Sequence, residues 1–346
     1  MSGSAPRLAQ LDALRGIAAL LVVFFHYTTR FDQLYGHASP PLVSLPWGHY
    51  GVNLFFMISG FVIFMTLERT RRPLDFVKSR FSRLYPAYWG AVLLTFALTH
   101  ALGLPGKTVG WQTLLVNLSM LQEFVGVAHV DGVYWTLSVE LLFYAWALLS
   151  YRAGGGARLR QVLLAFLAIR LVYAAAAGFW SVDLPWLLQR WLLLPFIAWF
   201  ALGVAVYRLS RPGDTRTVPD RWLAAAALAV LALVDGWPIG LLAVFFFIVL
   251  MGAARGRWTW LEHRLWLWLG AISYTLYLVH ENIGWALLLR LEAMGLPSTL
   301  AIVLTFVAVL GLAHALTRWV EQPGMRWIRA RYQQHTPRKE AVVNGG

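Results

Sequence analysis

Ten apolar runs, each of roughly 17–25 residues, divide this chain, and their length decides its fold class. A run of that length matches the hydrocarbon thickness of a bilayer, where no water satisfies a backbone N–H or C=O. Only an α-helix closes all its hydrogen bonds within one segment, so the runs predict an all-α, polytopic membrane helical bundle. They fall near 11–29, 50–68, 84–103, 132–151, 160–178, 188–208, 221–235, 238–254, 265–289 and 298–318. Composition agrees, since 59% of the 346 residues are hydrophobic and only 13% are charged, about half the charged share of a soluble domain. The first run continues through Phe24 and Phe25 into His26 with no small-x-small site after it. It reads as a permanent span and not as a cleaved signal.

The net charge of +13 does not call for a nucleic-acid partner. With the N-terminus placed in the cytoplasm, 23 of the 29 Lys and Arg fall in inside segments. Only Arg30, Lys107, Arg190 and Arg290 fall outside, and Arg15 and Arg170 lie within spans. Shifting the frame by one helix destroys this alternation, so both termini are expected in the cytoplasm. No internal repeat is visible. The longest outside segment, 104–131, contains Trp111 to Leu118, which reads as a short interfacial or re-entrant helix. The bundle is expected over residues 1–330, followed by a flexible basic cytoplasmic tail over 331–346 with no catalytic role.

The absence of Cys excludes disulfides, thiolate-zinc sites and acyl-Cys intermediates. There is no Walker A loop, no H-E-x-x-H and no G-x-S-x-G elbow. What remains is a set of polar groups inside the spans, which usually face a bundle interior and usually have a task. Arg15 and His26 share one helix face about 16 Å apart. Glu140 lies at a similar depth in the fourth run, where it is expected to meet His26. On the ninth run His280 and Glu281 reach the same level, and Ser273, Tyr277 and His280 share a face. Arg170 reads as a structural counter-ion to one of the two glutamates. His37, His49, His129 and His335 fall in loops and receive no role.

Arg80 and Arg83 lie on one face just before a membrane entry, spaced to clamp a multiply charged phosphate group. The plainer alternative is a topology signal. Ser59 and Gly60 read first as close helix packing and second as substrate lining. Asn117-Leu118-Ser119 matches a glycosylation sequon, a weak signal on its own.

Together these residues resemble the acyltransferase-3 family of bacterial membrane acyltransferases. The matching segments are Leu11-Asp12-Ala13-Leu14-Arg15-Gly16 through His26, and Gly51-Val52-Asn53-Leu54-Phe55-Phe56-Met57-Ile58-Ser59-Gly60-Phe61. They continue with Arg80 and Arg83 followed by Leu84-Tyr85-Pro86, Trp135-Thr136-Leu137-Ser138-Val139-Glu140, Ser273 to His280, and Glu321-Gln322-Pro323. The resemblance implies a multi-pass protein of the bacterial inner membrane that moves an acyl group from cytoplasmic acyl-CoA to a hydroxyl of a carbohydrate-type acceptor. The acyl group it implies is acetyl. It implies no permanently bound cofactor and no metal; acyl-CoA is a donor substrate.

By the same resemblance, Arg15, Arg80, Arg83 and Tyr85 hold the donor, and Asn53, Ser59, Trp135, Ser138, Tyr277 and His280 line the substrate. A neutral His26 takes the acceptor proton. Glu140 fixes the ring's tautomer and stabilises the imidazolium. Direct transfer and a transient acyl-His26 both fit. Many family members carry an additional extracytoplasmic SGNH domain. This chain ends soon after the tenth run, and Gly213-Asp214-Thr215 is no substitute for that domain's motif. Acylation is therefore expected to finish in the membrane domain or on a separate extracytoplasmic transferase. The rival readings are a transporter or flippase for a polysaccharide or lipid-linked sugar, and more distantly a lipid-linked glycosyltransferase. Missing repeat halves speak against the first, and single acids in place of paired metal ligands against the second.

Overall fold

Apolar runs free of internal breakers become helices, and punctuation decides where each stops. The computed structural model describes residues 6–70, 72–211 and 218–334, and every regular element among them is helical. The elements are α1 (Pro6–Phe24), α2 (Phe31–Tyr35), α3 (Gly51–Arg69), α4 (Pro73–Leu102), α5 (Trp111–Asn117), α6 (Trp135–Trp180) and α7 (Trp186–Trp191). They continue with α8 (Ile197–Leu209), α9 (Val218–Val234), α10 (Trp237–Ala254), α11 (Arg264–Val279), α12 (Glu281–Ala293), α13 (Ser298–Leu316) and α14 (Gln322–Gln334). Among the described residues, five helical stretches are long and apolar enough to cross a bilayer: Ala9–Tyr35, Pro46–Arg69, Gly132–Trp180, Trp237–Ala254 and Ser298–Tyr332. This is a membrane protein.

Several expected runs are reshaped. α6 is broken at Gly154 and Gly155, the latter at φ 63°, so it forms two helices over 135–153 and 156–180. The run expected at 188–208 is interrupted between α7 and α8, where Leu193 takes φ 54°. α4 begins eleven residues before the apolar run, at Pro73, because the basic stretch ahead of the run is itself helical. Helix also continues past the expected tail boundary, as α14 runs to Gln334; residues 335–346, with His335, lie outside the described residues, as does Gly213-Asp214-Thr215.

Helices in lipid gain little from burying apolar surface, so close packing at small residues drives their association. α1 lies against α11 at Gly16 and Gly270; a Cβ at Gly16 would sit 2.7 Å from the Gly270 nitrogen. α3 and α8 approach in the same way, with Gly60 facing the Phe200 backbone and Gly203 facing that of Met57. Gly60 is thus a packing residue. Arg170 is 4% exposed and pairs with Asp235 at the end of α9, at 2.5 Å, and not with either glutamate.

The connection after α4 folds back along it. Three carbonyls at 117–119 accept from α4 side chains: Tyr88 Oη to Asn117, Trp89 Nε1 to Leu118 and Tyr85 Oη to Ser119, at 2.8–2.9 Å. Those residues lie about 20 Å down the helix from Leu102, so α5 is re-entrant in its geometry. Asn117 is fully buried, with both amide atoms engaged by backbone at Thr113, Ala128 and Val130. Its side chain holds this loop together and is closed to glycosylation.

Candidate active site

Two polar centres lie one above the other, a cavity bordered by α1 and α11 and a cluster just past the ends of those two helices. The lower is a cavity of about 220 Å³. Arg15 of α1, Arg80 and Arg83 of α4, and Arg329 of α14 line it, with apolar walls from Val52, Phe55, Phe56, Ile58, Val62 and Ile63. Ser59, Thr136, Glu140, Tyr144, Tyr274 and Tyr277 add polar groups. Arg83 pairs with the buried Glu321, and Arg15 approaches Asp12 at 3.6 Å. Among the described residues Arg80 hydrogen-bonds only to hydroxyls, Thr66 and Ser79 at 3.4 Å, and Arg329 only to Ser82 at 3.3 Å. Four guanidiniums around one space, so sparsely neutralised, make it a site for a polyanion.

The upper centre is built on His26, in the wide π turn Phe25–Arg30 where α1 passes into α2. Such turns are frequent at functional sites. His26 Nδ1 lies 2.8 Å from the Val22 carbonyl, which accepts only, so Nδ1 carries the ring proton. Nε2 then faces Glu281 Oε2 at 3.3 Å, with the two side chains 13% and 7% exposed. His280 completes the group: its Nδ1 donates to the Tyr277 carbonyl at 2.8 Å, and its Nε2 lies 3.2 Å from His26 Nδ1. The backbone is pinned as well, because Trp285 Nε1 donates to the His26 carbonyl at 3.0 Å and Tyr27 Oη to that of His280 at 2.9 Å.

The carboxylate beside His26 is therefore Glu281, and the expected pairing with Glu140 is corrected. Glu140 is held elsewhere, accepting from Ser59 Oγ at 2.7 Å and Tyr144 Oη at 2.5 Å. Two features bring Glu281 inward. Gly132 leaves room for its carboxylate, where a Cβ would collide. Asp131, fully buried, accepts the Asn282 N–H at 3.1 Å and so caps α12 from a distant segment. The hydrogen-bond ladder breaks at His280 between α11 and α12, within the run expected to be one helix over 265–289. On an unbroken helix His280 and Glu281 point about 100° apart.

The structure gathers Arg15, Arg80, Arg83, Ser59, Glu140 and Tyr277 at the cavity, and His26 and His280 above it. It does not bring the others there. Tyr85 turns away to bond Ser119 and stacks on Phe81 with ring centres 4.3 Å apart. Trp135 packs on Phe196 under the Arg190 guanidinium. Ser138 is fully buried, and Asn53 is half-buried outside the lining. Two residues were missed. The signal for Glu281 was its place next to His280 at the right depth; Arg329, in the basic stretch after the last apolar run, gave none.

The acyltransferase-3 family model, described as an acyltransferase domain, matches residues 8–318. The acyltransferase MdmB of Streptomyces mycarofaciens is 26% identical, over 94% of this chain and 93% of that protein. Protein 2 in the picA locus of Rhizobium radiobacter is 40% identical over 30% of this chain and 54% of its own length. The exopolysaccharide production protein ExoZ of Rhizobium meliloti is 32% identical over 28% and 32%. No solved structure matches the chain at a significant level. A family model covering nearly all the helices that build the two centres leaves one conclusion: the chain belongs to the acyltransferase-3 family of membrane acyltransferases.

Proposed function

We propose that this protein transfers an acyl group, acetyl in the simplest case, from acyl-CoA to a hydroxyl of a carbohydrate-type acceptor. One observation carries the reading: an arginine-lined cavity bordered by α1 and α11 lies below an imidazole–carboxylate pair set just past the ends of those helices, with His26 in the π turn after α1 and Glu281 at the start of α12. By the distribution of basic residues, the cavity end faces the cytoplasm, the chain crosses the inner membrane of a bacterium ten times, and both termini are cytoplasmic. Coenzyme A, with several phosphates, suits the cavity of Arg15, Arg80, Arg83 and Arg329. The thioester then points along α1 towards His26. The name of ExoZ supports a polysaccharide acceptor.

In this reading the acceptor hydroxyl gives its proton to His26 Nε2 as its oxygen attacks the thioester carbonyl. Glu281 stabilises the imidazolium, and Val22 and His280 hold the ring. Collapse of the tetrahedral intermediate breaks the carbon–sulfur bond, and the thiolate takes the proton back from His26. Where the final acceptor lies beyond the membrane, a separate extracytoplasmic transferase receives the acyl group.

Purified protein supplied with radiolabelled acetyl-CoA and envelope glycan tests this. Label should move to base-labile ester on the glycan, and His26→Ala should abolish transfer while membrane insertion stays normal. Failure of the wild-type protein to consume the donor overturns the reading. For Arg80→Ala with Arg83→Ala, donor affinity should fall markedly in an equilibrium binding measurement; unchanged affinity leaves the pair as topology signals.

A further inference from the structure

Glu140 is the one acidic residue among those lining a cavity dominated by four guanidiniums. Simple electrostatics would have it pair with one of them, yet among the described residues no ion pair joins it to any. Ser59 Oγ and Tyr144 Oη both donate to the same oxygen, Oε1, at 2.7 and 2.5 Å. Oε2 receives no donor from the described residues. A carboxylate oxygen can accept two hydrogen bonds, so Oε2, which opens onto the cavity, has its capacity free for a ligand in place of water. Glu140 also stands on the side of the cavity that leads to His280. Thr136, one turn before it on α6, bonds the Tyr277 hydroxyl at 3.0 Å, and the Tyr277 ring lies 5.5 Å from that of His280.

Resting on the acyl-CoA reading above, we infer that Glu140 binds the donor's pantetheine arm, accepting a hydrogen bond from an amide N–H or the hydroxyl of that arm. The arm is the part of acyl-CoA between its phosphates and its thioester, and it offers two amide N–H groups and one hydroxyl. Arginines hold the anionic end; the fixed oxygen of Glu140 measures off the neutral middle. Ser59 and Tyr144 are positioning residues, because their donation to Oε1 fixes the direction in which Oε2 faces.

The sign of the effect makes the inference testable. If Glu140 acted only through its charge, its removal from a basic cavity would tighten binding of a polyanion. A direct hydrogen bond predicts the reverse. Steady-state kinetics and equilibrium binding should be run with acetyl-CoA and with S-acetyl-pantetheine, which keeps the arm and lacks the nucleotide. Glu140→Gln and Glu140→Ala should raise KM for both donors, Ala by about 10- to 100-fold. The kcat at saturating donor and its pH profile should stay put. Tyr144→Phe, which leaves the carboxylate in place, should raise KM for both donors several-fold and serves where Glu140→Ala does not insert. Arg80→Ala should weaken acetyl-CoA alone. Unchanged or tighter donor binding in the Glu140 variants overturns the inference, as does a fall in kcat with a shifted pH profile at unchanged KM. Wild-type protein that binds neither donor refutes the acyl-CoA reading itself, whatever the variants do.

Discussion

At the scale of single residues, the proposed chemistry turns on where one carboxyl group meets one imidazole. Glu281 Oε2 lies 3.3 Å from His26 Nε2, near enough to stabilise positive charge on the ring. Glu281→Gln should lower kcat by about 10²- to 10⁴-fold, the range of a lost acid–base partner, with KM for the donor unchanged. Equal loss from kcat and from donor affinity would place Glu281 in binding instead. Gly132→Ala tests the same contact from the other side. A Cβ there displaces the carboxylate, so activity should drop with the donor's binding intact, measured on one detergent-purified preparation. A variant as active as the wild type would show that the carboxylate's position is not critical.

At the scale of elements, the helices were legible and their interruptions were not. Each apolar run lies largely within helix because the bilayer leaves the backbone no other state. The turn at Gly154 and Gly155 was foreshadowed by three consecutive glycines and the arginines around them. Nothing local, however, marks His280 as the point where α11 yields to α12. The capping oxygen comes from Asp131, over 140 residues earlier in the chain, and only the tertiary structure brings it there. The depth of Glu281 was legible and its pairing with His26 was not, because on an unbroken helix it points away from the face that bears His280. Asp131→Ala should cost about 1 kcal/mol or more of stability through the lost cap, and should lower kcat by loosening Glu281; thermal unfolding and turnover together check it. For the α1–α11 crossing, Gly16→Leu should cost about 1–3 kcal/mol by overpacking at Gly270, read as an earlier unfolding midpoint in detergent. An unchanged midpoint would mean that the two helices have slack.

At the scale of the whole molecule, the charge distribution and the six matched motifs made the family and the arginine cavity legible before any coordinates. Arg329 was not legible, because basic residues after a last span are expected of any inner-membrane protein and their frequency hides the one that lines a cavity. The lack of native Cys makes the proposed sidedness directly measurable. Met294→Cys, at an exposed position, should react with an impermeant maleimide on intact spheroplasts. Ala153→Cys should react only after the membrane is opened; the opposite pattern would invert the proposed topology. One contact already described has a further outcome for the cell. The Tyr277 ring borders the arginine-lined cavity on one side and His280 on the other, while His26 is not among the cavity's lining residues. On the proposed reading Tyr277 is the inner door of an airlock, and wasteful breakdown of the thioester by water should be slow whenever no alcohol is waiting. Tyr277→Ala should turn a thrifty transferase into a leaky thioesterase, seen as free thiol released without acceptor.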